Sequence, residues 1–180
     1  GIDRRALALG VNGPGRFGID VGESFEITFR MASRNAADAG GRGAGTGTVI
    51  LSQAGKMTVG GDLVIGANAG NPGTVIIGGK AGVPLAPGSL TVGITAIGTN
   101  GSLVFNHTDS GYRFTNKIAG DGAIYNLSGE TILSGDLSGF VGTSTLGGVV
   151  VSRGRLVIES DFGTAANTSD GTRIYVNNGT

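Results

Sequence analysis

The chain has 180 residues, enough for one domain of ordinary size, and it contains 37 glycines but only 4 prolines. Glycine without a strict three-residue period excludes collagen, and a hydrophobic fraction of 39% is too high for a disordered chain. Thirteen basic residues balance thirteen acidic ones, and the charged fraction is only 14%, so nucleic acid is not an expected partner.

The chain contains no cysteine. A disulfide framework and a thiolate metal site are therefore both excluded. The apolar residues are scattered in short runs, none of them long enough to span a bilayer as a helix. No signal peptide is visible at the start, and we interpret the whole of 1–180 as one segment of a longer protein.

The first glycine motif, at 13–18, matches G-x-G-x-x-G. A dinucleotide site needs a helix directly after this motif, whereas 19–21 has the composition of a strand. A second glycine-rich run, at 40–45, is similar to a calcium-binding repeat but has Gly45 where that repeat needs an aspartate ligand. We therefore expect no cofactor-binding residue and no metal ligand in either motif.

The stretch at 32–47 is expected to project from the fold as a glycine-rich loop. Its first part, 32–39, contains helix-forming residues without an apolar stripe, which supports one helical turn or an ordered loop at most. In repeat proteins, insertions of this kind usually fall on one face, and that face is often the binding face.

Short strand patterns recur along the rest of the chain. The predicted strands are 17–21, 25–29, 48–51, 56–59, 62–65, 74–77, 89–92, 102–105, 122–125, 131–133, 149–151, 155–158 and 173–176. Several resemble one another and return at roughly 18 to 26 residues, which is the sequence signature of a solenoid. We therefore predict an all-β fold, a right-handed parallel β-helix cut from a longer rod; a β-sandwich, with longer alternating strands, is the competing architecture.

The region 101–158 resembles the passenger-associated repeat of autotransporters, the type V secreted proteins of Gram-negative bacteria. A strand of the form G-x-L-V-F-N at 101–106 is followed by I-x-G-x-G at 118–122, by T-x-L at 131–133 and by a closing G-x-L-V-I strand at 154–158. This chain departs from the family pattern at 126–130, where Asn-Leu-Ser-Gly-Glu replaces the usual tight turn. Glycine-rich strand repeats also occur in two-partner secreted exoproteins and phage tailspikes.

The resemblance implies a rod exposed on the bacterial surface or secreted, carried through the outer membrane by a C-terminal barrel outside this segment. Passengers of this kind act as stalks or adhesins in adhesion, autoaggregation or biofilm formation. The partners implied are surface molecules of a host or of other bacteria, protein or glycan, and further copies of the chain. The absence of cysteine fits a chain that crosses a second membrane unfolded.

We expect no catalytic residue, and we weighed two alternatives. His107, Asp109 and Ser110 contain the groups of a hydrolytic triad, but neighbours in one turn cannot adopt its geometry, so a turn at a corner of the solenoid is favoured. A β-helical polysaccharide-degrading enzyme would need two carboxylates converging on one face. The candidates for that pair are Asp109, Asp121, Glu130, Asp136 and Glu159.

Four asparagines recur at related positions, namely Asn100, Asn106, Asn116 and Asn126. Their amides could stack as a ladder between successive turns of the rod. Asparagine also tolerates the left-handed conformations of turns, and turns are the favoured interpretation for most of them.

Overall fold

The computed structural model describes residues 16–21, 26–29, 37–38, 46–66, 72–142, 148–163 and 174–177. In these ranges the chain forms strands and turns without an α-helix, and every ladder between named strands is parallel. The strands are β1 (Arg16–Val21), β2 (Glu26–Phe29), β3 (Ala37–Asp38), β4 (Thr46–Leu51), β5 (Lys56–Val59), β6 (Leu63–Ile65), β7 (Gly73–Gly78), β8 (Ser89–Thr91), β9 (Ile94–Ile97), β10 (Gly101–Phe114), β11 (Lys117–Gly120), β12 (Ala123–Leu133), β13 (Gly139–Phe140), β14 (Val149–Val151), β15 (Arg155–Ile158) and β16 (Ile174–Val176).

The strands stack into three sheets that follow the chain turn by turn. The first sheet runs β1-β4-β7-β10-β12-β14-β16, with β15 also paired to β12. The second runs β2-β5-β8, and the third runs β13-β11-β9-β6-β3. Each strand thus lies beside its equivalent in the preceding and following turns, so the fold is a parallel β-solenoid. The all-β parallel β-helix predicted from the sequence is confirmed, and 46–151 makes about four turns of it.

The turns are unequal in length and extend only slightly beyond the interval of roughly 18 to 26 residues that the sequence pattern predicts. In the first sheet, Gly47 is in register with Gly73 and Gly73 with Gly101, which gives turns of 26 and 28 residues. The next turn, from Leu103 to Ile124, has 21 residues. The longest of these turns contains the loop 79–88 between β7 and β8. Because a loop outside the sheets does not disturb the register of the strands, the solenoid tolerates turns of unequal length.

The core is built from rows of side chains that stack from turn to turn. One row of the first sheet holds Val49, Val75, Leu103, Ile124 and Val149, all of them buried. Each burial contributes about 1.5 to 3 kcal/mol. A single turn cannot enclose its own apolar residues, so the stability of each turn depends on its neighbours.

A parallel row beside it carries the largest and the most polar core residues. Leu51, Ile77, Phe105, Asn126 and Val151 are in register and buried. An asparagine therefore occupies a position that is apolar in the other four turns. A buried amide is tolerated only when its hydrogen bonds are made, which directs attention to the partners of this residue.

Two long strands turn the corner between the first sheet and the next face. β10 pairs with β12 over both halves of its length, and the register between them shifts at three places from Phe105 to Tyr112. The following turn divides the same path into β14, beside the first half of β12, and β15, beside the second half. The shifts are β-bulges, which bend a strand and so carry it around a corner. The turn expected at 107–111 is therefore a bulged strand.

The predicted loop 32–47 and the repeat region 101–158 can be compared with the strands of the structure. In the predicted loop 32–47 the structure describes 37–38, 46 and 47, and these residues belong to β3 and β4 and hence to the wall of the solenoid. The helical turn considered for 32–39 is therefore wrong at 37–38, while the rest of that stretch lies outside the described residues. In 101–158 the predicted strands are all present, within β10, β12, β14 and β15.

Candidate functional site: a buried polar chain and paired surface charges

Three of the four asparagines considered above are buried and bridge neighbouring turns. The Asn106 side-chain amide donates to the carbonyls of Gly79 and Lys80 at 2.8 and 2.5 Å. The Asn116 amide donates to the Leu90 carbonyl at 2.7 Å and accepts from the backbone N–H of Val92.

These amides bind the backbone of the adjacent turn, so Asn106, Asn116 and Asn126 form neither a simple amide ladder nor ordinary solvated turns. The preference for turns is wrong for Asn106 and Asn126, which lie within β10 and β12, whereas Asn116 lies in the turn between β10 and β11. All three buried amides satisfy carbonyls that a corner would otherwise leave without a partner. Asn100 lies in a turn between β9 and β10, as expected.

Asn126 lies in the middle of a chain of hydrogen bonds that connects three turns. His107 Nε2 lies 2.9 Å from Thr131 Oγ1, and the Thr131 hydroxyl donates to Asn126 Oδ1 at 2.7 Å. The Asn126 amide then donates to the Arg153 carbonyl at 3.0 Å. His107, Thr131 and Asn126 are each buried with no measurable exposure of the residue. We call this set the buried polar chain.

The hydrogen bonds assign the tautomer of the histidine. The single hydroxyl proton of Thr131 is used toward Asn126, so Thr131 can only accept from His107, and Nε2 must carry the proton. Nδ1 is then a bare acceptor, and it is buried without a hydrogen-bond partner. Burial lowers the pKa of His107, and the charge and the backbone of Asp109 oppose this shift only in part. The ring is therefore neutral at neutral pH.

Two buried threonines of the solenoid allow a matched test of the buried polar chain. Thr131→Val is expected to lower the free energy of unfolding by about 1 to 3 kcal/mol, because it leaves His107 Nε2 and Asn126 Oδ1 without partners. The same change at Thr95, whose hydroxyl is buried without a partner, is expected to be neutral or to raise stability by about 1 kcal/mol. Urea denaturation measures both values. Equal losses in the two variants would contradict the assigned hydrogen bonds.

The carboxylates proposed for an enzymatic pair are engaged elsewhere. Three of them form ion pairs with cations from other parts of the solenoid surface: Glu130 with Arg155 at 2.9 Å, Asp136 with Lys117 at 2.7 Å, and Glu159 with Arg113 at 2.5 Å. These pairs are largely exposed, so solvent screens them and they contribute little to stability.

Two further carboxylates were candidates for the same pair. Asp121 accepts a hydrogen bond from the Thr99 hydroxyl at 3.0 Å, and Asp109 is exposed. The hydrogen bond from Lys117, together with those from Ser138, holds the pKa of Asp136 below its usual range. A carboxyl whose pKa is lowered, as that of Asp136 is, is unsuited to act as a general acid at neutral pH.

The histidine, aspartate and serine of 107–110 are not assembled as a triad. The ring of His107 points into the rod and bonds to Thr131, while Asp109 and Ser110 are exposed on the outside of the same strand. At the first glycine motif, the structure forms β1 from Arg16 onward, so a strand occupies the place where a dinucleotide site requires a helix. The run at 40–45 lies outside the described residues.

The aromatic residues divide between the core and the surface. Phe105 and Phe114 pack edge to face at 5.3 Å between ring centroids, and Tyr112 donates from its hydroxyl to the Gly88 carbonyl at 3.0 Å. Burial raises the pKa of Tyr112 to about 12. Tyr175 in β16 is 48% exposed.

Sequence reasoning did not identify Thr131 or Thr95 as residues of interest. In a strand pattern, threonine is as common as valine and indicates only β-structure. A signal was available at Asn126, because register with Phe105 puts an amide in an apolar row, but that register emerges only once the turns are stacked.

A comparison of the chain with protein-family models, with curated proteins and with solved structures found no match. Within the described ranges there is no group of three or more histidine, aspartate and glutamate side chains placed to hold a metal ion. The same ranges contain no helix that is long and apolar enough to cross a membrane. The fold and its contacts are therefore the basis for a functional proposal.

Proposed function

We propose that this chain is a surface-exposed β-helical segment of an autotransporter passenger that serves as a stalk or adhesin in adhesion, autoaggregation or biofilm formation. The observation that carries the proposal is the match between the repeat motifs and the turns of the solenoid. The motif strands at 101–106 and 131–133 lie on β10 and β12, and the closing motif at 154–158 includes β15. The first motif strand pairs with the first half of β12, and 131–133 pairs with 156–158 of the closing motif.

The surface chemistry supports a structural and interaction role over turnover of a substrate. The ion pairs Glu130–Arg155 and Arg113–Glu159 each join residues of different turns, so these charges hold the turns of the solenoid together. The charged fraction of the whole chain is low, and serine, threonine and glycine are common on it. A surface of this kind suits contact with proteins or glycans through hydrogen bonds and small apolar patches.

The location can be tested on cells that produce the native full-length protein. An antibody raised against this chain is expected to label intact, unpermeabilised cells, and external protease is expected to remove the label. A periplasmic protein in the same cells serves as the control and must stay unlabelled until the outer membrane is permeabilised. Label that appears only together with that control would overturn the surface assignment.

The proposed adhesive activity requires a second experiment. Beads coated with the purified chain are expected to adhere to host or bacterial cells, whereas beads coated with an unrelated protein of similar size and charge are not. Treatment of the cells with protease or with periodate then identifies the receptor as protein or glycan. Release of reducing sugar from a surface polysaccharide, lost on Glu130→Gln or Glu159→Gln, would replace the proposal by the enzymatic alternative.

A further inference from the structure

Within the loop 79–88, residues 86–88 bond to Leu51, Ser52 and Gln53 of the preceding turn. The remaining part, 79–85, forms a shorter loop that is fastened to the solenoid by two neighbouring residues of β10. Asn106 donates its side-chain amide to the carbonyls of Gly79 and Lys80. Next along the strand, His107 forms a bridge with Leu85, and the following backbone N–H, that of Thr108, donates to the Leu85 carbonyl at 3.2 Å. The loop itself is open to solvent, with Val83 60% exposed. We call it the anchored loop.

The imidazole of His107 is enclosed on all the sides that the contacts define. Its Nε2 bonds to Thr131, and the ring centroid of Tyr112 lies 5.2 Å away. A Cβ atom added at Gly129 would lie 2.4 Å from Nδ1, so the backbone of β12 is packed against that nitrogen. A proton added at Nδ1 would place a positive charge in this enclosure, and the cost of burial outweighs the opposing effects of the charge and the backbone of Asp109.

The charges on the surrounding elements do little to compensate. On β10 itself Asp109 is exposed, and its attraction is outweighed by the effect of burial. On β12 the nearest charged residue in sequence to Thr131 is Glu130, which is paired with Arg155 of β15. The anchored loop contributes the cation Lys80, whose side chain is at an exposed position. Tyr112 has its pKa raised to about 12 and is neutral throughout the acid range.

The residues that follow His107 allow this segment to rotate outward into solvent. Thr108, Asp109 and Ser110 are already exposed. Rotating this short segment outward would therefore move the imidazole of His107 into water. The same rotation would break the contacts to Leu85, which belong to residues 107 and 108. Opening of this corner and release of the anchored loop are therefore one event.

We propose that His107 is an acid-sensitive anchor: uptake of a proton at Nδ1 opens the corner 106–111 and releases residues 79–85, while 86–88 and the other turns of the solenoid stay in place. Release of the loop changes the surface that the rod presents, because the loop carries Val83 and its neighbours. It goes beyond the proposed function and does not depend on it.

The direction of the pH dependence follows from linkage. In the open state the histidine has its ordinary pKa of about 6.5, and in the closed state its pKa is lower. Between these two values the open state binds more protons, so the closed state is fully stable above about pH 6.5 and loses stability as the pH falls through this window. Below the lower pKa both states are protonated and the loss stops growing.

Hydrogen exchange on the purified chain tests the proposal, with the exchange rates corrected for the intrinsic effect of pH. Between about pH 7 and about pH 5, protection of amides in 79–85 and 106–112 is expected to fall by about tenfold per pH unit inside the window. Amides of β4 and β14 are expected to keep their protection. Since the chain has one histidine, NMR titration of its imidazole reports the pKa without ambiguity.

Two variants separate the device from a general effect of acid. His107→Gln keeps a side-chain amide that can donate to Thr131 but cannot titrate, so the loss of protection in acid is expected to disappear. Asp109→Asn, an exposed change, is expected to lower the pKa of His107 further and to increase opening at the acid end. The proposal is overturned by an unchanged acid response in His107→Gln, by no response in the native chain, or by simultaneous loss of protection in all strands.

Discussion

Replacing Phe105 by alanine is expected to lower the free energy of unfolding by about 3 to 5 kcal/mol. Phe105 is fully buried in the row that runs from Leu51 to Val151, and its ring contacts those of Phe114 and Tyr112. Alanine would remove the apolar area and leave a cavity that the strands above and below, held in register by their ladders, cannot close. Urea denaturation of both proteins measures the difference.

Phe162 is the matched control for this prediction, since the chemical change is the same. It is partly buried, it follows β15, and it contacts Phe140 at 5.9 Å between ring centroids. Phe162→Ala is therefore expected to cost about half as much or less. If the two variants lose the same stability, the core row does not have the energetic weight that its burial implies.

Gly154→Ala is expected to cost more than about 3 kcal/mol of unfolding free energy. Gly154 adopts a φ of 74°, in the left-handed region, at the corner between β14 and β15. An added Cβ would lie 2.1 Å from the carbonyl oxygen of Gly129 in the preceding turn. The methyl group would have to push two stacked turns apart, because the atom that it meets is backbone.

Gly82 separates the clash from the conformational strain. Its φ of 81° is nearly the same, but a Cβ there would meet nothing within 4 Å. Gly82→Ala is therefore expected to cost only the left-handed strain, about 1 to 2 kcal/mol, in thermal or urea denaturation. A cost at Gly82 equal to that at Gly154 would show that backbone conformation, and not the close approach of successive turns, requires glycine at the corner.

The strands of the third sheet were the hardest to predict from the sequence. β9 and β11 were not among the strands assigned, although both are regular and paired over four residues. One of their two outward rows is small, with Ala96 beside Ala119, and β11 ends in glycine. Alanine and glycine have low intrinsic preference for strands, so these segments become strands because the neighbouring turns offer a ladder to join.

The extension of β10 beyond Asn106 shows a second limit. The run from His107 to Gly111 is polar and ends in glycine, which favours a turn, yet the structure continues the strand through bulges to Phe114. The polar residue at the bend faces inward, where Thr131 and Tyr112 receive it. Local composition cannot reveal an inward histidine whose partner lies 24 residues further along the chain.

The sequence by itself determined the class of fold. Short β-branched runs that return after similar intervals, separated by glycine and asparagine, can bury their apolar residues only by stacking turn on turn, and the solenoid follows from that requirement. The tertiary structure alone decided what the polar residues do. Hydrogen bonds such as that between His107 and Thr131, and ion pairs such as Arg113–Glu159, depend on which residues the register brings together. Unequal turn lengths set that register, and it emerges only when successive turns are packed against one another.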